Sequence, residues 1–156
     1  MLACVYVCVC IGEVIDGCTD LEFQRRGSGR SDTDSTLTFG GNVHLIGSQE
    51  EWDEKISQAN KEDRLVVVNF SAAWCGPCRV IAPLYTELSL KYPPLLFLSV
   101  DVDDLMDLSS SWDIHATPTF FFLKHGQPKD KLVGANKPEL QKKVLAFTES
   151  IQSSSF

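Results

Sequence analysis

Leu65-Val66-Val67-Val68-Asn69-Phe70 is nearly all apolar, and a few residues later comes Trp74-Cys75-Gly76-Pro77-Cys78-Arg79. A strand with one wet face alternates apolar and polar residues, whereas a strand covered on both faces does not. The run therefore calls for a sheet with helices on each side of it. The helical pattern that follows, from Cys75 to about Tyr92, puts Cys75 where the strand hands over to a helix. At that point unpaired backbone N–H groups and the positive end of the helix dipole favour an anion. A thiol held there ionises more readily and becomes a nucleophile near neutral pH. Cys78 follows at i+3 on the same side of the helix, less exposed and less acidic, and the two sulfurs can close a small ring. The chemistry this implies is thiol–disulfide exchange with another protein. An inert disulfide or half of a zinc site are the alternatives. A zinc site needs a second ligand pair, and the chain beyond residue 18 holds no cysteine besides Cys75 and Cys78.

The remaining chain alternates strand and helix signals. A short strand is expected over 43–46. A helix follows over 49–60, with Ser48 and Glu51 spaced as a capping box and Trp52, Ile56 and Ala59 on one face. A second buried strand is expected over 95–102 and a short helix over 105–111. A strand over 119–124 turns back through His125-Gly126-Gln127-Pro128 and pairs with 131–133 as a hairpin. The closing helix covers 137 to about 151, with Pro138 in its first turn and Leu140, Val144 and Phe147 on one face. Pro83 should bend the helix that begins at Cys75. This order describes an α/β fold with a central mixed sheet flanked by helices on both faces.

With its Trp74-Cys75-Gly76-Pro77-Cys78 string, the later Ala116-Thr117-Pro118-Thr119-Phe120 and then Val133-Gly134-Ala135, the chain resembles the thioredoxin family. The resemblance covers roughly residues 40–150. It is nearest the plant h-type branch with an N-terminal extension, as Val100-Asp101-Val102-Asp103-Asp104 and Phe120-Phe121-Phe122-Leu123-Lys124 suggest. It implies a protein-disulfide reductase working by dithiol–disulfide exchange in cell redox homeostasis. Cys75 would be the attacking thiolate and Cys78 the resolving thiol of a redox-active disulfide. Gly76 and Pro77 would tune the pair toward reduction. Pro118 would be a cis-proline that leaves the Thr117 backbone free to pair with an extended target. Trp74, Thr117, Pro118, Val133, Gly134 and Ala135, with Gly76, Pro77 and Ala116, would form a shallow apolar docking surface. No cofactor or metal would be bound. Electrons would come from NADPH through thioredoxin reductase, or from glutathione and glutaredoxin.

One departure from the family pattern is informative. Where relatives commonly carry a buried Asp six residues before the first cysteine, this chain has Asn69, and where many carry a partnering Lys it has Ser99. Removing one partner of a buried ion pair strands a charge, whereas removing both strands none. Asn69 and Ser99 therefore read as a coupled neutral replacement, with Cys78 deprotonated by water or by its own leaving thiolate. The other reading is a hydrogen-bonded core amide without kinetic consequence.

The net charge of −7 over 156 residues, with acidic residues scattered, argues against nucleic acid as a partner. Four of the six cysteines, Cys4, Cys8, Cys10 and Cys18, crowd the first eighteen residues. That is not the spread of a secreted disulfide scaffold, and the rest reads as a reduced, cytoplasmic, monomeric protein. The apolar run 2–11 is too short to span a bilayer and lacks the basic start of a signal peptide. Leu2 excludes N-myristoylation. S-acylation of Cys4, Cys8 or Cys10 stays open as a membrane contact. Residues 24–41 have linker composition, so residues 1–39 are expected to be a disordered extension and 40–153 the domain. His44, His115 and His125 receive no role. A redox-independent chaperone or scaffold is the rival function, and an oxidase or isomerase of an oxidising compartment is a third.

Overall fold

The computed structural model describes residues 39–152. The expectations placed on residues 1–38, including those for Cys4, Cys8, Cys10 and Cys18, fall outside the described residues. Nine elements follow one another: β1 (Val43–Ile46), α1 (Gln49–Lys61), β2 (Val66–Ser71), α2 (Gly76–Lys91), β3 (Leu96–Asp101), α3 (Met106–Ser111), β4 (Thr119–Lys124), β5 (Gln127–Val133) and α4 (Lys137–Gln152). The five strands form one sheet in the order β1-β3-β2-β4-β5. β1 and β2 run parallel to β3, while β4 is antiparallel to both β2 and β5.

β2 sits at the centre, and all six of its residues are buried. Its side chains divide by parity between two apolar clusters. Val66, Val68 and Phe70 pack with Trp52 and Ala59 of α1 and Leu108 of α3. Val67 packs with Ile81, Tyr85 and Leu88 of α2 and with Leu140 and Val144 of α4. Helices α1 and α3 therefore cover one face, and α2 and α4 the other. The two-sided burial expected from the apolar run is the structural fact that fixes the layering.

Local signals are mostly realised. Ser48 Oγ accepts from the Glu51 N–H at 3.2 Å, but the Glu51 carboxylate reaches back to the Gly47 N–H at 2.9 Å rather than to Ser48. The cap is thus shifted by one residue from the reciprocal box. Pro83 removes the N–H that would bond the Arg79 carbonyl, yet α2 continues through it to Lys91.

The hairpin differs from expectation. The turn is only His125-Gly126, both with positive φ (53° and 70°), as a two-residue hairpin requires. Gln127 and Pro128 already belong to β5, paired with Lys124 and Leu123 across a register shift at Phe122/Leu123. Pro128 is tolerated because β5 is an edge strand.

Candidate active site

β2 ends at Ser71, and the chain then turns through residues 72–74 into α2. The turn is held by hydrogen bonds at three points. The Cys75 N–H donates to the Ala72 carbonyl at 3.1 Å. Arg79 Nη2 donates to the Ala73 carbonyl at 2.8 Å. Cys75 is the N-cap of α2, and its Sγ accepts from the Cys78 N–H at 3.3 Å. The sulfur thus occupies the place a serine or aspartate oxygen takes in other helices. Pro77 lies in the first turn, where its missing N–H removes a donor that has no intrahelical partner anyway.

Cys75 and Cys78 are joined by a disulfide, with Cα atoms 5.3 Å apart. Both residues are buried, at 1% and 0% exposure. Both belong to the apolar cluster that includes Phe70 and Ala72.

Two distant segments meet this junction. The Thr117–Pro118 peptide is cis, and the Thr117 carbonyl oxygen lies 3.6 Å from Cys75 Sγ. The Pro118 carbonyl accepts from the Gly134 N–H at 2.8 Å. Gly134 has φ +94°, a conformation that favours glycine. Cys75, Thr117, Pro118 and Gly134 therefore form one connected cluster, although 59 residues separate its ends. Val133 and Trp74 are exposed beside it, at 42% and 49%. Ala135 instead packs against the cluster that holds Val67 and Tyr85. Gly76 is exposed, and Pro77 and Ala116 are half-buried.

Asn69 is fully buried, and its register partner on β3 is Ser99, also buried. The two residues that read together in the sequence thus stand side by side. Neither Asn69 Nδ2 nor Oδ1 has a hydrogen-bond partner among the described residues, and Thr117 Oγ1 has none either. No group of three or more His, Cys, Asp or Glu among the described residues could hold a metal ion.

Sequence reasoning missed Asp103 and Arg79. Trp74 Nε1 donates to Asp103 Oδ2 at 2.7 Å, tying the residue before the disulfide to the loop after β3. In the sequence Asp103 stands only within the stretch Val100–Asp104 that carries the resemblance, and no local pattern links positions 29 apart. The neighbouring Asp101 accepts from the Asp103 N–H at 2.9 Å. Burial raises the Asp101 carboxyl above its usual pKa, against the opposing pull of that bond. Asp103→Ala is expected to loosen the indole by about 1 kcal/mol, read as greater quenching of Trp74 fluorescence by acrylamide. Asp103→Asn, which keeps an acceptor oxygen, is expected to preserve the wild-type value.

Comparison with known proteins agrees with this geometry. The family model described as Thioredoxin matches residues 43–146. Thioredoxin H4-1 of Oryza sativa subsp. japonica is 64% identical over 125 residues, covering 80% of this chain and 95% of that protein. Thioredoxin H9 of Arabidopsis thaliana is 58% identical over 130 residues, 83% of this chain and 93% of that one. Among solved structures, the crystal structure of a poplar wild-type thioredoxin h, PtTrxh4, superposes with a TM-score of 0.67 at 63% identity, over 68% of this chain and 96% of that one.

Proposed function

The chain belongs to the thioredoxin family, whose members are thiol–disulfide oxidoreductases, and on that premise we propose that it is a reductase of protein disulfides. One observation carries the reading. The Cys75–Cys78 disulfide stands at the start of α2, with Cys75 as its cap and the Thr117 carbonyl of the cis peptide 3.6 Å from Cys75 Sγ. In the dithiol form the Cys75 thiolate attacks one sulfur of a target disulfide, and the other target sulfur leaves as a thiolate and takes up a proton. Cys78 loses its proton and attacks Cys75 Sγ. The Cys75–target bond breaks, the second target thiol is released, and the ring closes. The target gains two electrons and the protein loses them. The Cys78 N–H aimed at Cys75 Sγ stabilises the thiolate that the first step needs.

Trp74, Gly76, Pro77, Thr117, Pro118, Val133 and Gly134 serve as the docking surface. The Thr117 backbone takes an extended target segment by strand-like addition. Such a surface reads backbone more than side chains, which suits a reductant of many proteins. Electrons reach the oxidised pair from NADPH through a flavin-containing thioredoxin reductase, or from glutathione with glutaredoxin. The protein works as a monomer in a reducing, cytoplasmic setting, with any membrane contact made through the N-terminal cysteines.

Insulin reduction with each donor system in turn tests activity and donor together. Turbidity from the released B chain with at least one donor is the expected result. No turbidity with either donor, from protein whose thiols titrate as free, overturns the reading.

A further inference from the structure

Charge is unevenly placed along the domain. Lys124, Lys129, Lys131, Lys137, Lys142 and Lys143 follow one another with only Asp130 and Glu139 among them. The rest of residues 39–152 carries thirteen acidic residues against five basic ones. The fold gathers part of this basic segment round a cavity of about 710 Å³ between the β4–β5 hairpin and α4. Lys124 comes from the end of β4, Lys129 from β5, and Lys142 from α4. The register shift in the hairpin accounts for Lys129. Asp130 pairs with Phe122 and Pro128 with Leu123, so Lys129 is the extra residue between two ladder positions. A bulge of this kind re-aims a side chain, and here Lys129 joins the cavity wall.

Lys143, also on this wall, is neutralised by its ion pair with Asp130. No carboxylate among the described residues pairs with Lys124, Lys129 or Lys142. Three uncompensated ammonium groups therefore surround one concavity of a chain whose net charge is −7, and an anionic partner relieves their repulsion. The floor between them is apolar. Phe147 is half-buried and packs on the buried Phe122, with ring centroids 5.4 Å apart, and Ala146 is exposed next to it in the chain. A cationic rim round an apolar floor matches a partner that carries both carboxylates and an apolar side chain. Glu139 stands on the same wall and repels a dense polyanion such as a cluster of phosphates. An extended peptide spaces its alternate side chains about 7 Å apart, so it can set carboxylates at the lysines and keep clear of Glu139. A bilayer surface is flat and does not enter the concavity.

We propose that the groove between the β4–β5 hairpin and α4 is a second docking site, whose occupant is an extended acidic segment of another protein with an apolar side chain seated on Phe147. The site stands apart from the disulfide. Pro118 precedes the first residue of β4 and Lys124 is the last, about 17 Å farther along the strand. A partner held in the groove leaves Cys75 and the Thr117 carbonyl open to exchange. It raises the local concentration of any disulfide it carries there. The occupant lies on the face of the hairpin and not along the outer edge of β5. The binding itself does not depend on the reductase reading.

The test uses the full chain and a fluorescein-labelled peptide that alternates glutamate with phenylalanine. A second peptide has serine in place of phenylalanine. Fluorescence anisotropy at low salt reads the binding. The phenylalanine peptide is expected to bind, and to bind roughly fivefold more weakly when Lys129→Ala and Lys142→Ala are combined. Lys61→Ala combined with Lys91→Ala removes the same charge outside the groove and is expected to change the affinity less than about twofold. All four of these lysines are exposed, so both variants keep the fold. The serine peptide is expected to bind wild-type protein at least roughly fivefold more weakly than its phenylalanine counterpart. Adding the phenylalanine peptide is expected to move the amide NMR signals of Lys124, Lys129 and Phe147 and to leave those of Cys75 and Thr117 in place. No binding, equal weakening in the two variants, equal affinity for the two peptides, or shifts centred on Cys75 and Thr117 each overturn the proposal. Tighter binding to phosphatidylserine vesicles than to the peptide gives the groove to lipid and overturns it. A dimer seen by sedimentation and lost when Lys129→Ala and Lys142→Ala are combined gives the groove to a second copy and overturns it as well.

Discussion

Cys78→Ser is expected to stop turnover and to leave the protein covalently attached to its target through Cys75. The first attack needs only Cys75, which caps α2 and receives the Cys78 backbone N–H whatever side chain stands at position 78. Release needs a second sulfur, and serine supplies none. Incubation with oxidised insulin followed by non-reducing mass spectrometry should show a one-to-one adduct that dithiothreitol dissolves. Cys75→Ser is expected to form no adduct and to lower the rate of insulin reduction by about 10³-fold or more, as loss of a nucleophile does when the residual residues cannot replace it. Both variants keep the fold's contacts outside the ring, so their thermal transitions need only be compared in the reduced state. If Cys75→Ser retained full cellular activity, the redox-independent scaffold would be the correct function.

Tyr85→Ala is expected to be the most destabilising single change in the core. The ring is fully buried and meets Phe97, Phe120 and Phe39 with centroids 5.2, 5.6 and 5.9 Å away. Its single hydroxyl hydrogen is shared between carbonyl oxygens on two different strands, Val67 at 2.9 Å and Leu98 at 2.8 Å. One side chain thus ties α2 to both β2 and β3. Deleting a buried aromatic ring costs about 3–5 kcal/mol and the hydrogen bonding a further ~1 kcal/mol or more, against a total stability of about 5–15 kcal/mol. Tyr85→Phe isolates the second part, and about 1–3 kcal/mol is expected. Urea unfolding measures both, as a lower midpoint with the slope unchanged. Burial also pushes the Tyr85 phenol far above its usual pKa, so neither value should depend on pH between 6 and 9 through this group.

The legibility of these features follows their physics. β2, β3 and β4 lie inside the sheet, where burial on both faces writes a nearly continuous apolar run into the chain. β5 is an edge strand whose residues Gln127 to Lys131 are exposed, so nothing in its composition separates its first half from a loop, and only 131–133 stood out. The disulfide could be read because its two cysteines are three residues apart at a strand–helix junction. The Trp74–Asp103 bond could not, because it joins two loops that only the completed sheet brings together. Asn69 and Ser99 could be paired by comparison with the family pattern, but the unpaired state of the amide is a property of its neighbours in space.

The two margins of the sheet bear on how the molecule behaves in a crowd. One margin, β1, is only four residues long. The other, β5, carries a proline and a Lys-Asp-Lys triplet. Short borders, ring-locked nitrogens and charge all discourage a foreign chain from zipping onto a sheet. At high concentration, then, neither rim invites fibrous growth. The molecule can meet other chains without recruiting them, or its own copies, into an extended ribbon.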